Sequence, residues 1–183
     1  MKKRGIKKNF YEKVVDNMID VKGLSNVYYV RNMHKEDVPM IYEMTKKNTL
    51  YYKYCGRENT IDDIYNDFEN VPQGKEISDL YYLGYFQDED LVCVLVLLDK
   101  YPDEETIYIG FFMMNNEYQG NGLGSSIITE VCDHFKLCGY TKVQLGIDKD
   151  NPQSRHFWKK NGFEEIREVK HDEGIVIAAE KQL

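Results

Sequence analysis

The chain has 183 residues, of which 42% are hydrophobic and 30% are charged. This length and composition predict one globular domain with a buried core, and no apolar run approaches the ~20 residues that span a bilayer. The formal net charge of −7 argues against nucleic-acid binding and favours a cationic partner. Because Cys55, Cys93, Cys132 and Cys138 show no CxxC spacing and no histidine cluster, we expect reduced thiols, no metal site and a cytoplasmic location.

The N-terminal region is predicted to be a helical extension. A basic segment at residues 2–8 precedes residues 9–20, where apolar side chains recur at helical spacing. No apolar core or small-residue cleavage site follows the basic segment, so we do not expect a secretory signal. We therefore divide the chain into residues 1–26, the extension, and residues 27–183, the main domain. The extension could cover a cleft in the domain or pair two subunits into a homodimer.

The next part of the chain combines a strand, a helix and an acidic segment. Residues 27–30 are predicted to form a strand and residues 34–48 a helix. Residues 58–79 contain seven acidic side chains against one basic side chain, and include a short helix that Thr60 can cap. One interpretation is a solvated helix face. The other is an acidic wall beside Tyr51, Tyr52 and Tyr54 that suits a cationic group.

Three apolar segments with short links, residues 80–86, 91–98 and 106–114, predict an antiparallel meander. The second is apolar throughout, which is typical of a strand buried on both faces. Residues 125–137 follow as a helix that ends near Gly139. Residues 142–147 are predicted to form a strand parallel to the third one, because strand–helix–strand connections run that way. Another helix through Lys160 and a closing hairpin complete the chain.

A glycine-rich turn, Gln119-Gly-Asn-Gly-Leu-Gly124, lies between the meander and the helix. Its glycines leave room for close approach to a ligand, and the N–H groups that begin the next helix favour an anion such as a pyrophosphate. A tight strand–helix connection without a ligand is the alternative. The turn is not a Walker A loop, because no Gly-Lys-Ser/Thr follows, and its GxGxG spacing is not the dinucleotide fingerprint.

Two motifs together resemble a known family. The pattern Gln119-x-x-Gly122-x-Gly124 matches the Q/R-x-x-G-x-G/A signature of the GNAT superfamily of acyl-CoA-dependent N-acyltransferases. Residues 151–163 resemble the later motif of that family, N-x-x-A-x-x-h-Y-x-x-x-G-F, in which h is apolar. The resemblance extends from about residue 27 to the C-terminus. It implies an α/β fold of the α+β type, with a mixed, mostly antiparallel sheet flanked by helices.

The resemblance also implies acetyl-CoA as cosubstrate and a set of residues that bind it. The pyrophosphate would be held by the backbone amides of Gln119, Gly120, Asn121, Gly122, Leu123, Gly124 and Ser125. Met114 would offer backbone groups to the pantetheine arm and the thioester carbonyl. Asn151 would contact the cosubstrate, and Ser154 would take the small position that lets it pass. An acceptor amine would attack the thioester directly in a ternary complex.

Two departures from the family pattern leave the catalytic residues unassigned. Trp158 takes the place of the usual tyrosine acid, and residues 106–114 contain no carboxylate to act as a base. We expect Phe157, Trp158 and Phe163 to pack in the core. The sequence predicts an N-acetyltransferase acting on a primary amine of a cationic small molecule. The alternatives are a protein lysine or N-terminal acetyltransferase, and a non-catalytic acyl-CoA-binding regulatory module.

Overall fold

A computed structural model describes residues 19–56, 59–171 and 174–183. Within these ranges, five α-helices and seven strands follow one another along the chain. The helices are α1 (Val38–Thr45), α2 (Thr49–Cys55), α3 (Ile61–Asp67), α4 (Leu123–Leu137) and α5 (Pro152–Lys160). The strands are β1 (Tyr29–Asn32), β2 (Leu80–Gln87), β3 (Asp90–Leu98), β4 (Thr106–Met114), β5 (Lys142–Asp148), β6 (Glu164–His171) and β7 (Gly174–Gln182). None of the helices in these ranges has the length and hydropathy of a membrane span.

The seven strands form one sheet in the order β1-β2-β3-β4-β5-β7-β6. The pairing of β4 with β5 is parallel and every other pairing is antiparallel, which confirms the predicted mixed sheet and the β2–β4 meander. Helix α4 makes the crossover from β4 to β5. The closing hairpin is also confirmed, but the sequence did not predict that β7 inserts between β5 and β6.

The core has two parts, one on each face of the sheet. Helices α4 and α5 cover the first face, where the fully buried side chains include Ile127, Ile128 and Phe135. Helices α1 and α3 cover the second face with Val38 and Ile64. Strand β3 is buried from residue 91 to residue 98 and supplies alternate side chains to the two faces. This confirms the prediction of a strand covered on both sides.

Helix boundaries differ from prediction around residue 46. The segment predicted as a single helix, residues 34–48, forms a 3₁₀ turn followed by α1. After a break the chain forms a further helix, α2, which the sequence did not predict. The junction is held by Asn48, whose side-chain amide donates to the carbonyl oxygen of Met114 at 3.3 Å. The predicted cap of α3 is confirmed, because the Thr60 hydroxyl accepts from the backbone N–H of Asp63 at 3.1 Å. The break between α1 and α2 places α2 across the end of β4.

The end of the predicted N-terminal extension packs against the domain. Leu24 is fully buried in the first core, and the Ser25 hydroxyl donates to the Glu130 carboxylate of α4 at 2.7 Å. The helix predicted for residues 9–20 lies outside the described residues except for its last two positions. The division of the chain at residue 26 therefore stays a prediction.

The ion pair of Arg31 with Asp37 fastens β1 to the start of α1 and gives a pH-dependent prediction. Nη1 and Nη2 of Arg31 each donate to one oxygen of the Asp37 carboxylate at 2.8 Å. These hydrogen bonds hold the pKa of Asp37 below its ordinary value. Asp37→Asn should lower the free energy of unfolding at pH 7 by about 1 kcal/mol, because the pair is partly exposed. A lowered folded-state pKa stabilises the fold above the unfolded pKa, so this difference should shrink as the pH falls below ~4.

The measurement is urea unfolding of both proteins at pH 7 and near pH 3. Glu36→Gln is the matched control, since it removes the same charge from the exposed neighbouring residue. It should change the free energy of unfolding by less than ~0.5 kcal/mol. An Asp37→Asn effect of equal size at both pH values would contradict the role of the charge.

Candidate active site

A cleft opens where β4 and β5 separate. The two strands pair only from Thr106 to Ile109 and from Lys142 to Leu145. Beyond that point they diverge around a cleft of about 550 Å³. Its walls come from β4, β5, β7, α2 and α5, and the lining residues include Tyr51, Cys55, Tyr108, Gly110, Phe111, Phe112, Gly146, Asp148, Asn151, Ser154, Trp158 and Val176. A volume of this size is typical of a site for a small ligand.

Gly146 on β5 lets two side chains of the cleft wall pack closely against this strand. A Cβ atom at this position would lie 2.8 Å from Cγ1 of Val176 and 3.2 Å from the hydroxyl oxygen of Tyr108. Strand β4, on the other side of the cleft, has a register shift against β3. Val96 pairs with Phe111 and Leu97 pairs with Ile109, so that Gly110 is left out of the pairing. Burial raises the pKa of the Tyr108 phenol, so this group remains protonated and can donate into the cleft.

Backbone amides on the last part of β4 point to the side of β5, beyond the point where the two strands stop pairing. The Asn115 N–H donates to the Val92 carbonyl oxygen at 2.8 Å, on the side of β3. Because successive peptide groups of a strand point to opposite sides, the N–H groups of Phe112 and Met114 point away from β3. Amides fixed in this way can stabilise an oxyanion, and each such donor typically contributes ~3 kcal/mol.

The glycine turn has a left-handed backbone at two positions and leads directly into α4. Gly120 and Gly122 have φ angles of +85° and +80°, and neither would place a Cβ atom within 4 Å of another group. Gly122 is the N-cap residue of α4, and no described side chain caps that end of the helix. The N–H groups of residues 123–125 therefore point toward the turn, where a negatively charged group would be favoured.

Gln119 has a structural contact within this turn. Its side-chain nitrogen lies 2.6 Å from Oδ1 of Asn48 and 3.0 Å from the carbonyl oxygen of Met114. The side chain thus ties the turn to the end of β4 and the start of α2 through its nitrogen. Gly124 packs between the end of β4 and α5, since its Cβ position lies 3.4 Å from both Met114 and Phe157, but the turn residues are not among those that line the cleft.

Asn151 and Ser154 line the cleft together, at the start of α5. Asn151 is 4% exposed, and its side-chain oxygen caps the helix by accepting from the Ser154 N–H at 3.0 Å. The predicted core role of Trp158 and Phe163 is confirmed, because both are buried with ring centroids 5.0 Å apart. Phe157 is half-buried and stacks on Phe112, which joins α5 to the cleft wall.

The carboxylates near β4 in the sequence do not line the cleft. Glu105 accepts from Thr141 at 3.3 Å, and Glu117 pairs with Lys47 at 3.7 Å. Asp148 does line it. The sequence did not indicate this residue, although Asp148 ends β5 at the same end of the sheet as the glycine turn. Tyr51 was predicted only as part of an acidic and aromatic wall, and Cys55 was not predicted at all.

A second, narrow cavity of about 30 Å³ adjoins the cleft. Asp63 and Asp67 of α3 line it, together with aromatic rings that include Tyr52 and Tyr82. Tyr51 and Phe111 line both this cavity and the cleft. Of the predicted acidic segment, only these two carboxylates among the described residues face the narrow cavity, while Glu69 and Asp79 pair with Lys35 and Lys75.

The separation of β4 from β5, the β4 amides that point away from β3 and the uncapped start of α4 lie at the same end of the sheet, where an anionic group would be favoured. The sequence profile of the acetyltransferase (GNAT) family matches residues 40–163, which is more than half of the chain. The chain belongs to this family and is an acyl-CoA-dependent acetyltransferase with acetyl-CoA as its cosubstrate.

Known proteins of low sequence identity are similar to the chain. An uncharacterized N-acetyltransferase of Methanocaldococcus jannaschii is 23% identical over 83% of this chain and 67% of that protein. An acetyltransferase from Thermus thermophilus has a TM-score of 0.67 at 19% identity, covering 86% of this chain and 97% of that one. AAC(6')-Ib, solved with ribostamycin and coenzyme A, has a TM-score of 0.66 at 16% identity, covering 86% and 94%. The two solved structures share the fold of this chain.

Proposed function

We propose that the protein transfers an acetyl group from acetyl-CoA to a primary amine of a cationic small molecule. The observation that carries this proposal is the narrow acidic cavity, which Tyr51 and Phe111 join to the cleft. A cation in that cavity would lie near Asp63 and Asp67 and among aromatic rings. The net charge of −7 would attract such a molecule.

The size of the narrow cavity limits what it can hold. At about 30 Å³ the cavity has room for no more than a few groups the size of a water molecule, which suits a single ammonium group. The reacting amine would then lie in the cleft and a second cationic group in the cavity. Ribostamycin, an acceptor-sized molecule bound by AAC(6')-Ib, supports a small-molecule acceptor on this fold.

On the donor side, we propose that the backbone of residues 119–125 holds the pyrophosphate of acetyl-CoA. Met114 would bind the pantetheine arm and the thioester carbonyl through its N–H, since its carbonyl oxygen already accepts from Asn48 and Gln119. Asn151 and Ser154 would border the path of the donor at the start of α5. The proposal that the pyrophosphate binds here is supported by the left-handed conformation of Gly120 and Gly122 and by the uncapped N-terminus of α4.

The proposed reaction is direct attack of the amine on the thioester carbonyl in a ternary complex. Placing both reactants in one cleft removes much of the entropic barrier of a bimolecular step. The N–H groups of Phe112 and Met114 would stabilise the oxyanion that forms on the carbonyl oxygen. We also propose a cytoplasmic location, which four cysteines outside any disulfide support.

Thiol release from acetyl-CoA across a panel of amines tests the acceptor class. Polyamines and aminoglycosides should react, and 1,5-diaminopentane should exceed pentylamine in kcat/KM by at least about tenfold, which corresponds to ~1.4 kcal/mol for the second ammonium. The matched pair differs only in that charge. If peptides react better than these amines, at a lysine side chain or at the N-terminus, the protein is instead a protein acetyltransferase. Tight acetyl-CoA binding without release to any amine would indicate a regulatory module.

A further inference from the structure

One carboxylate lines the cleft among its described residues, and it belongs to Asp148, the last residue of β5. The other lining groups that ionise are the thiol of Cys55 and the phenols of Tyr51 and Tyr108. A carboxylate is ionised at neutral pH, whereas an ordinary thiol or phenol is largely protonated. Asp148 is therefore the lining group best suited to accept a proton.

The strand pattern places Asp148 on the face of the sheet opposite α4 and α5. Leu145 and Ile147 are buried in the first core, under α4 and α5. Side chains of a strand alternate between faces, so Asp148 points to the opposite face, which α2 covers. There the Cys55 thiol donates to Oδ2 of Asp148 at 3.4 Å. Tyr51, on the same helix, borders the narrow acidic cavity as well.

The carboxylate of Asp148 is not committed to a cation within the described part of the chain. None of the ion pairs formed there includes it. Lys149, the adjacent residue, pairs across to Glu168 of β6 at 2.7 Å. A thiol is a weak hydrogen-bond donor, so an ammonium group can replace it at the carboxylate.

We infer that Asp148 is the catalytic base that deprotonates the acceptor amine, an assignment that rests on the proposed function. An acceptor R–NH₃⁺ gives one proton to the Asp148 carboxylate, and the freed lone pair forms the N–C bond at the acetyl carbonyl. When the C–S bond breaks, its electron pair leaves on the CoA sulfur. The second proton of the nitrogen passes to that sulfur, which gives the amide and the free thiol. Asp148 then returns its proton to solvent.

The test uses Asp148→Asn, which keeps the shape of the side chain and removes its basicity. With the best alkylamine acceptor, kcat should fall by about 10²–10⁴-fold, while the Kd for acetyl-CoA changes less than ~threefold. Asp148→Glu should restore part of kcat. Asp150→Asn is the matched control, because it removes the same charge two residues away at an exposed position, and its kcat should stay within ~twofold of the wild type.

A second acceptor separates proton transfer from a structural effect. In the aminooxy analogue of the same acceptor the attacking nitrogen is unprotonated at neutral pH and needs no base. Asp148→Asn should therefore lower the kcat measured with this analogue by less than ~tenfold. Equal losses for both acceptors, or a raised KM with unchanged kcat, would overturn the assignment while leaving the acetyltransferase proposal intact. Absence of turnover by the wild-type protein with every amine would overturn both.

Discussion

Gly122→Glu is expected to abolish acetyl-CoA binding while leaving a folded protein. Acetyl-CoA at 100 times its Kd should stabilise the wild-type protein by ~2.7 kcal/mol and raise its Tm by about 5–10 °C. A glutamate at the N-cap of α4 places a negative charge where we propose that the pyrophosphate binds. The shift in Tm should therefore vanish in the variant. ATP and NAD should not stabilise either protein.

The control for this substitution is Gly74→Glu. Gly74 has a φ angle of +88° with open space around it and does not line the cleft, so the variant has a similar backbone strain and the same added charge outside the site. Both variants should lose about 1–2 kcal/mol of stability from the left-handed conformation. Only Gly122→Glu should lose the response to acetyl-CoA. A response retained by Gly122→Glu would show that the turn does not hold the pyrophosphate.

Trp158→Ala is expected to be the most destabilising substitution in the cleft wall. Trp158 is 7% exposed and packs on Phe112, Phe157 and Phe163 with ring centroids 5.0 to 6.0 Å apart. Removing the indole leaves a cavity among these rings, and the free energy of unfolding should fall by about 3–5 kcal/mol. Urea unfolding at neutral pH measures this loss. The thiol-release assay then reports activity on the fraction that remains folded.

Trp158→Phe distinguishes packing from catalysis. A phenyl ring fills most of the space, so the loss of stability should be below ~2 kcal/mol. Because an indole has no acidic proton to give to a leaving thiolate, kcat of this variant should stay within ~threefold of the wild type. A drop of about 100-fold in kcat with unchanged stability would instead place Trp158 in the reaction.

Local features of the chain predicted the architecture well. Alternation and apolar runs located β2, β3 and β4, because side chains of a strand must match the two faces of the sheet. The glycine spacing located the turn at Gly120 and Gly122, whose left-handed φ angles are easily reached only by glycine. The predicted helix 34–48 was wrong at both ends, since residues 35–37 form a 3₁₀ turn and α1 ends at Thr45. The contact of Asn48 with the distant Met114, which holds the following junction, lies outside any local pattern.

The sequence by itself determined the strand meander, the glycine turn that precedes α4 and the family motif at α5, because each depends on residues close together in the chain. Only the tertiary structure decided where β4 and β5 separate, which carboxylates face the acidic cavity, and that Cys55 meets Asp148 from 93 residues away. The last two features depend on how α2 and α3 pack against the sheet. Such packing is set by contacts between distant side chains, which no local periodicity encodes.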